Sequence, residues 1–489
     1  VKVTFLTPPA VDGRAPERGF GCNYGVYNQP NIFPLYSAAL LQEHGHKVQV
    51  IDAPAERISE KEFKEMILND DSDFYVFYTV FLSEETDKQW VEWIRFTKSY
   101  AKIIFMGSEP TSRPADFLFD ERTFVVRGEA EYTLLGLVER WGYVNILGLK
   151  RWGYVNILGL SWLNGNKIVH NPPRPLMTNA QLDKLPFPAR HLIKANLYFN
   201  PKLQGRPSTV MLTSRNCFGR CIYCIPSSYT FAREIENKNH FGCKPRVGLR
   251  SAKNIIKEFK QLKQEGYKSV AIIDDNFVNG KERTIKICKG IEKLGLEWGC
   301  LARADQLQDE ELLRCMKRAG CVWVDIGVES FDQRVLDYVQ KDTKVGDQLN
   351  AIILLKKVGI EPKVNILIGA CPYETESDVM WMLEVLKNLD VRFVSFAVAI
   401  PHPNTEYYNI VKKNKWFATK SKDFEPVDPT KQVIISLPNM NAKKLQELVS
   451  TAYRSYYFRP SYILKTLRRT TSLRALKENA GVAWRLLRG

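Results

Sequence analysis

Thr213-Ser-Arg-Asn-Cys217-Phe-Gly-Arg-Cys221-Ile-Tyr-Cys224 places three cysteines four and three residues apart. Directly before it runs Thr209-Val-Met-Leu-Thr213, an apolar, partly β-branched segment of strand type. A strand that ends in a tight polar loop gathers the three thiols at one place. Thiolates are soft donors that suit iron–sulfur clusters or zinc, and a cubane cluster commonly takes four of them. Three stand here, which leaves one iron of such a cluster open to a small chelating ligand. With Cys243 or His240 as a fourth ligand, the same loop would make a structural zinc site instead.

A chain of 489 residues predicts two or three domains, each large enough for its own core. The net charge of +16 and a pI near 9.2 suit acidic partners: nucleic acid, anionic lipid or phosphorylated substrates. Solvated faces account for much of such a balance, and no nucleic-acid-binding module is evident, so no nucleic acid is expected. Ten cysteines at irregular spacing, with no secretory leader, predict a reducing cytoplasm rather than a disulfide framework. No run reaches the about eighteen apolar residues of a membrane span, so the expectation is a soluble or membrane-peripheral protein.

The N-terminal part alternates strands and helices. Strands are expected at Lys2–Thr7, Lys47–Ile51, Phe74–Tyr78, Ile103–Met106 and Phe124–Val126. Helices are expected at Leu35–His44, Glu60–Ile67 and Glu84–Ser99. Such alternation predicts a doubly wound parallel sheet with its ligand at the carboxyl ends of the strands. The loops there carry Pro8 and Pro9, Thr79, the Gly107-Ser108-Glu109 turn, and Gly128 with Glu129. Residues 140–149 and 151–160 repeat the same ten letters, Arg-Trp-Gly-Tyr-Val-Asn-Ile-Leu-Gly-Leu. One copy is expected to lead into a hairpin around Ser161-Trp-Leu-Asn-Gly-Asn-Lys-Ile-Val, and the other to form a loop or strand extension. Asn171-Pro-Pro-Arg-Pro175 and Leu185-Pro-Phe-Pro188 read as extended linker.

Beyond the linker, strands are expected at Thr209–Thr213, Ser269–Ile273, Trp298–Ala302, Val322–Ile326, Lys363–Ile368 and Phe393–Val398, with helices between them. Six strand–helix units fit a partial (β/α)6 barrel, with its chemistry at the carboxyl ends of the strands. There lie Asp274 and Asp275, Arg303, Glu329, the Asn365-Ile366-Leu-Ile-Gly369 run and Cys371. Cys371 is either a hydrogen-atom donor or substrate contact, or a small apolar filler.

Cys-x3-Cys-x2-Cys with Tyr223 before the last cysteine resembles the radical S-adenosylmethionine (SAM) superfamily. The resemblance implies a 4Fe–4S cluster on Cys217, Cys221 and Cys224, with SAM on the open iron and cleavage of SAM to a 5′-deoxyadenosyl radical. It further implies that Asp274 or Asp275 meets the SAM amino group, Arg303 the carboxylate, Glu329 the ribose hydroxyls and Ile366 the adenine through its backbone. Pro372-Tyr-Glu-Thr375 looks like that family's Pro-x-Glu-Thr turn. Pro401-His-Pro-Asn-Thr405 departs from Pro-x-Pro-Gly-Thr at Asn404, a residue that tolerates the left-handed conformation of a glycine.

The N-terminal part resembles the cobalamin-binding domain that precedes one class of these enzymes. The likeness rests on Pro8-Pro9, Pro34-Leu35, His44-Gly-His46, the Gly107 loop and Arg127-Gly-Glu-Ala-Glu131. Ser108 and Glu109 depart from that class's usual Gly107 loop. Asp-x-His-x-x-Gly, which supplies a histidine to cobalt elsewhere, does not occur, so no histidine is expected below the cobalt. The resulting plan is α/β: a Rossmann-like cobalamin domain at 1–145, a linker with the duplication at 146–205, a radical SAM barrel at 206–410 and a small, mostly helical, basic region at 411–489. The implied activity is methylation of an unactivated carbon. A cyclase or rearrangement enzyme on the same cofactors, or a cobalamin- or iron-sensing protein, are the alternatives. An external donor such as flavodoxin or ferredoxin would supply electrons. The leucine- and arginine-bearing tail from Arg459 suggests peripheral membrane contact and a lipid or isoprenoid substrate, or else a helix packed on the barrel.

Overall fold

The computed structural model describes residues 1–10, 18–19, 29–147, 153–418 and 433–469. The chain forms two compact units. The first holds residues 1–218, 225–301 and 318–322; the second holds 219–224, 302–317 and the chain from Trp323 onward.

In the first unit, strands β1 (Lys2–Thr7), β2 (Lys47–Asp52), β3 (Phe74–Tyr78), β4 (Lys102–Met106) and β5 (Thr123–Val126) pair in parallel. The hairpin β6 (Leu160–Asn164) and β7 (Lys167–His170) joins antiparallel at the β5 edge, giving the order β2-β1-β3-β4-β5-β6-β7. The five residues of β3, Phe-Tyr-Val-Phe-Tyr, are all buried, as expected of a central strand covered on both faces. Phe63, Trp90, Ile94 and Phe117 from the covering segments pack onto Tyr75, Phe77 and Phe105 of the sheet.

The first helix starts at Ile32 rather than Leu35, because Asn31 caps it by accepting from the Phe33 amide. Pro34 is tolerated there, since a first-turn residue has no intrahelical acceptor for its N–H. Ser59 and Glu62 form a reciprocal capping box at the start of Glu60–Asn69.

The duplicated decapeptide adopts two structures. The first copy, expected as loop or strand extension, continues the helix Glu131–Leu147. That helix is already nucleated by buried Leu134, Leu135, Leu137 and Val138, and extending a formed helix costs little. The second copy buries Tyr154 and Ile157 and turns at Gly159 (φ +78°), where a β-carbon would stand 2.9 Å from the Thr133 hydroxyl. Leu160 then opens β6. Tertiary neighbours override identical local sequence.

Further along, the first unit contains β8 (Ser208–Met211), the two-residue ribbon strands β9 (Ser214–Arg215) and β10 (Gly248–Leu249), β11 (Ser269–Ile272) and β12 (Glu297–Ala302, its last residue in the second unit). β8, β11 and β12 lie parallel in that order; β9 and β10 are antiparallel. The second unit carries β13 (Cys321–Glu329, from Trp323), β14 (Glu361–Ile368) and β15 (Phe393–Val398), again parallel and in that order. Helices such as Lys281–Ile291, Glu310–Arg318, Val345–Val358 and Glu376–Leu389 alternate with these strands. The expected α/β class with parallel sheets is borne out.

The C-terminal region is helical, at Ala442–Tyr457 and Pro460–Arg469. Its tyrosines serve β15. The Tyr457 hydroxyl accepts from Val394 N (2.8 Å) and donates to Val394 O (2.6 Å), and the Tyr453 hydroxyl accepts from Phe396 N (3.2 Å). Edge-strand groups that would otherwise stand open are thereby paired. The basic tail positions Arg474, Lys477, Arg485 and Arg488, with Leu473, Leu476, Trp484 and Leu487, lie outside the described residues.

Candidate active site

Each unit holds a cluster of buried polar groups bonded to its own part of the cysteine segment. In the first unit Arg215, two residues before Cys217, is buried between carboxylates. Its Nη1 donates to Glu129 Oε1 (2.9 Å) and the Tyr229 hydroxyl (2.8 Å), and its Nη2 donates to Glu131 Oε1 (2.7 Å). Glu129 also accepts from the Met177 amide (2.6 Å) and pairs with Arg233 Nε (3.0 Å). Asn216 takes φ +72°, and its side chain bonds Arg233 and Glu234. Arg127 Nε pairs with Glu236 of the same helix, Ser228–Phe241 (3.1 Å). The segment Arg127-Gly-Glu-Ala-Glu131 thus anchors the residues that enter the cysteine loop.

Asp274 and Asp275, adjacent in sequence, do different things. Both oxygens of Asp274 are taken: Thr213 N (2.6 Å), Thr213 Oγ1 (2.5 Å) and Ser214 Oγ (2.7 Å) donate to it. It fastens the start of the loop. Asp275 Oδ1 accepts from Ser227 N (2.8 Å), while its Oδ2 is shielded from solvent and has no hydrogen-bond partner among the described residues. Burial pushes the Asp275 carboxyl up to about 6. A shielded carboxylate oxygen without a donor fits a cationic ligand such as an amino group.

In the second unit the segment Gly219–Cys224 docks at the carboxyl end of β13. Ile222 N donates to Val339 O (3.1 Å) and Tyr407 N to Ile222 O (3.0 Å). Tyr223 hydrogen-bonds the Glu329 carboxylate; burial, then the Glu329 charge, push its hydroxyl well above the ordinary tyrosine value. Glu329, with φ +65°, also pairs with the buried ammonium of Lys341 at 2.9 Å. In the ladder Glu329 stands opposite Ile366 of β14, next to a bulge at Gly327. Arg303 donates through Nη2 to Lys341 O (2.7 Å) and Asp342 O (3.1 Å), and through Nε to Asp305 (2.9 Å). Glu329, Ile366, Arg303, Tyr223 and Cys221 are therefore brought together. Cys371 is buried just past β14, its carbonyl accepting from Glu374 N (3.2 Å). Burial raises its thiol pKa.

At the strand ends of the N-terminal sheet, Pro8 and Pro9 are buried, and Pro9 O accepts from Trp90 Nε1 (3.0 Å). Thr79 Oγ1 donates to Asp87 (2.7 Å), which also takes Ser83 and a bidentate Arg18. Gly107 has φ +116°, and a β-carbon on it would lie 2.3 Å from Thr79 O, so glycine is required by that close approach. Ser108 and Glu109 are buried, Glu109 beside Arg113 (3.3 Å). Gly128 (φ +66°) packs against Glu236, whose Cβ and Cγ would stand 3.2 Å from an added β-carbon. His44 and His46 sit at the amino end of β2, away from these loops.

Among the described residues no three of His, Cys, Asp and Glu are grouped as a metal site. What the loop offers an iron–sulfur cluster is its donor set: three thiols, Cys217 and Cys221 half-buried and Cys224 exposed. Sequence reading missed Arg215, Tyr223 as a partner of Glu329, and Lys341. The signal for Lys341 was a lone lysine in the apolar-spaced stretch after Glu329, too weak to separate from a solvated one.

Residues 211–386 match the family model described as the radical SAM superfamily, and the chain carries a radical SAM domain there. A 4Fe–4S cluster and SAM follow as its cofactors. Across 445 residues, 90% of each chain, it is 28% identical to a protein named as an uncharacterized methyltransferase of Pyrococcus horikoshii. The solved structure of the cobalamin-dependent S-adenosylmethionine radical enzyme OxsB, with aqua-cobalamin and S-adenosylmethionine bound, is similar over 99% of this chain and 71% of its own. The TM-score is 0.71 at 16% identity. The radical SAM methyltransferase TsrM from Kitasatospora setae, with cobalamin and a 4Fe–4S cluster bound, covers 84% of this chain and 75% of its own, with TM-score 0.62 and 16% identity. At that identity the likeness is one of fold.

Proposed function

We propose that this chain is a cobalamin-dependent radical SAM methyltransferase that acts on an unactivated carbon of a small molecule. The observation that carries the reading is the docking of Gly219–Cys224 at the end of β13, with Tyr223 hydrogen-bonded to Glu329. Two of the cluster ligands, Cys221 and Cys224, and the proposed ribose acceptor lie in the same unit, which supports the reading. The cluster and cobalamin would supply, when bound, electron transfer to SAM and a methyl carrier.

The protein's own residues bind and orient. Cys217, Cys221 and Cys224 ligate iron; Asp275 Oδ2 accepts from the SAM amino group; Arg303 meets its carboxylate; Glu329 accepts from the ribose hydroxyls; the Ile366 backbone flanks the adenine. Pro8, Pro9, Thr79, Gly107, Ser108, Glu109, Gly128 and Glu129 frame the cobalamin end, with Thr79 and Glu129 acting through the buried networks they join rather than as free polar groups. Cys371, buried just past β14, is the candidate hydrogen-atom donor or substrate contact.

The substrate class we favour is hydrophobic or anionic, a lipid or isoprenoid, with an external flavodoxin or ferredoxin as reductant. Ile463, Leu464 and Leu467 are exposed on the Pro460–Arg469 helix beside Lys465 and Arg468, a basic amphipathic surface. No helix of the described residues is long and apolar enough to cross a membrane. Binding to anionic vesicles should weaken with salt and fall on truncation after Pro460; indifference at low salt would make the helix a packing element.

The deciding experiment feeds methyl-deuterated SAM to the anaerobically reconstituted protein with cell extract. A product heavier by one labelled methyl, together with 5′-deoxyadenosine, is expected. A product lighter by two hydrogens would replace methylation by cyclisation, and no cleavage of SAM would overturn the enzyme reading.

A further inference from the structure

The turn after the short helix Gln333–Tyr338, which follows β13, buries a lysine. Lys341 has its side chain 8% exposed, and its ammonium stands 2.9 Å from Glu329 Oε1. Among the described residues Glu329 is the one side chain it bonds. An ammonium has three donors and no acceptor, so two N–H groups remain to be satisfied in a shielded place. Burial acts to lower its pKa, but the Glu329 charge more than offsets this and holds it above the ordinary lysine value.

The backbone around it is held in an uncommon conformation. Gln340 (φ +54°) and Asp342 (φ +52°) bracket Lys341, and Glu329 itself has φ +65°. Left-handed non-glycine residues are uncommon, and three around one ion pair mark a place over-determined by its surroundings. Arg303 clamps this geometry by donating to the carbonyls of both Lys341 and Asp342. Gly327 completes it: a β-carbon there would lie 2.4 Å from Glu329 Oε1 and 2.8 Å from Lys341 Nζ. The pair itself occupies the space that a side chain at position 327 would take.

A carboxylate beside an ammonium has the polarity that a vicinal diol requires. Each hydroxyl can donate to the carboxylate and accept from the ammonium. A lone carboxylate satisfies only the donor half. We propose that Lys341 is a second member of the ribose site, donating to the hydroxyl oxygens of the SAM ribose while Glu329 accepts the hydrogen bonds that those hydroxyls donate. This inference rests on the reading of Glu329 as the ribose acceptor. Cys221 lies near enough for its charge to act on the Lys341 ammonium, which puts the pair beside the cluster-bearing segment.

The test is equilibrium binding of SAM and of its 2′-deoxy and 3′-deoxy analogues to the anaerobically reconstituted full chain. Lys341→Met should weaken SAM about tenfold or more, with partial recovery in Lys341→Arg, and should cost the deoxy analogues clearly less. Gly327→Ala, which splits the pair while keeping both charges, should show the same dependence on the ribose hydroxyls. If Glu329→Gln loses SAM while Lys341→Met and Gly327→Ala bind it like the parent, Lys341 merely neutralises Glu329 and the proposal fails. If Glu329→Gln also binds SAM normally, the ribose reading itself fails. Should Lys341→Met not fold, Lys341→Gln, which keeps one donor group, together with Gly327→Ala decides the matter in the same way.

Discussion

Arg215→Met isolates the contribution of the buried network that leads into the cysteine loop. Methionine keeps the aliphatic bulk and removes the cation. The side chains of Arg215, Glu129 and Glu131 are 3%, 1% and 0% exposed, so solvent cannot compensate. Glu129 would retain Arg233 and the Met177 amide, whereas Glu131 would keep the Tyr229 hydroxyl as its partner among the described residues. Removing one partner of a buried ion pair costs about 3–5 kcal/mol, because the other charge stays buried. Against a typical total of about 5–15 kcal/mol, that is a large share. At about 1.5–2 °C per kcal/mol for a unit of roughly 300 residues, the unfolding transition of the first unit should fall by roughly 5–10 °C in calorimetry. Arg122→Met is the control: Arg122 is 39% exposed beside Asp120, and an exposed pair contributes about 0–1 kcal/mol. Arg215→Lys should rescue poorly, because one ammonium cannot reproduce a guanidinium fork that reaches two carboxylates. A shift for Arg215→Met no larger than the control's would refute the claim that this network holds the loop. An Arg215→Met protein that folds but takes up less iron on reconstitution would tie the network directly to Cys217.

Three further outcomes follow from the same geometry. Replacing Cys217, Cys221 and Cys224 together by Ala should abolish iron uptake on anaerobic reconstitution; one equivalent of zinc and no iron in the parent would point to the structural zinc site instead. Asp274→Asn should destabilise the protein by about 1–3 kcal/mol, since buried donors lose a charged acceptor, whereas Asp275→Asn should spare stability and weaken SAM binding; the reverse pattern would exchange their roles. Glu374, whose Oε2 accepts from Gly369 N (2.6 Å), is pushed up to about 8 by burial. Between about pH 5 and 8 the folded state holds a proton that the unfolded state releases, so this group's contribution is present at low pH and lost as pH rises through 8. Glu374→Gln should flatten that part of the stability profile, and an unchanged slope in urea titrations would count against it.

Much of the plan was legible in advance because strand and helix periodicities are local. The apolar run Phe74–Tyr78, the alternation into Glu84–Thr97 and the turn at Gly107 each carry their structure within a dozen residues. The three cysteines and the strand-end carboxylates could be listed by the same reasoning, since parallel α/β chemistry collects where strands end. What each of them touches could not. Asp274 and Asp275 are chemically identical neighbours, and only the fold gives one of them Thr213 and Ser214 while leaving an oxygen of the other unpartnered. Glu129, expected at the cobalamin end of its strand, proves to share its carboxylate with Arg215 and Arg233, 86 residues on for the former.

The duplicated decapeptide marks the boundary between the two kinds of information most sharply. By itself the sequence determined the element types of most of the chain, the parallel α/β class and the donor chemistry of the Cys217–Cys224 loop, because these depend on residue type and short spacing. The same ten letters nonetheless continue a helix at 140–147 and lead through a turn into a strand at 160, and Lys341 becomes the partner of Glu329 only when the turn after the helix Gln333–Tyr338 folds back onto the end of β13. These outcomes were decided by tertiary structure, since the free energy of a buried charge or an ambiguous segment is set by neighbours distant along the chain, whose approach no local pattern encodes.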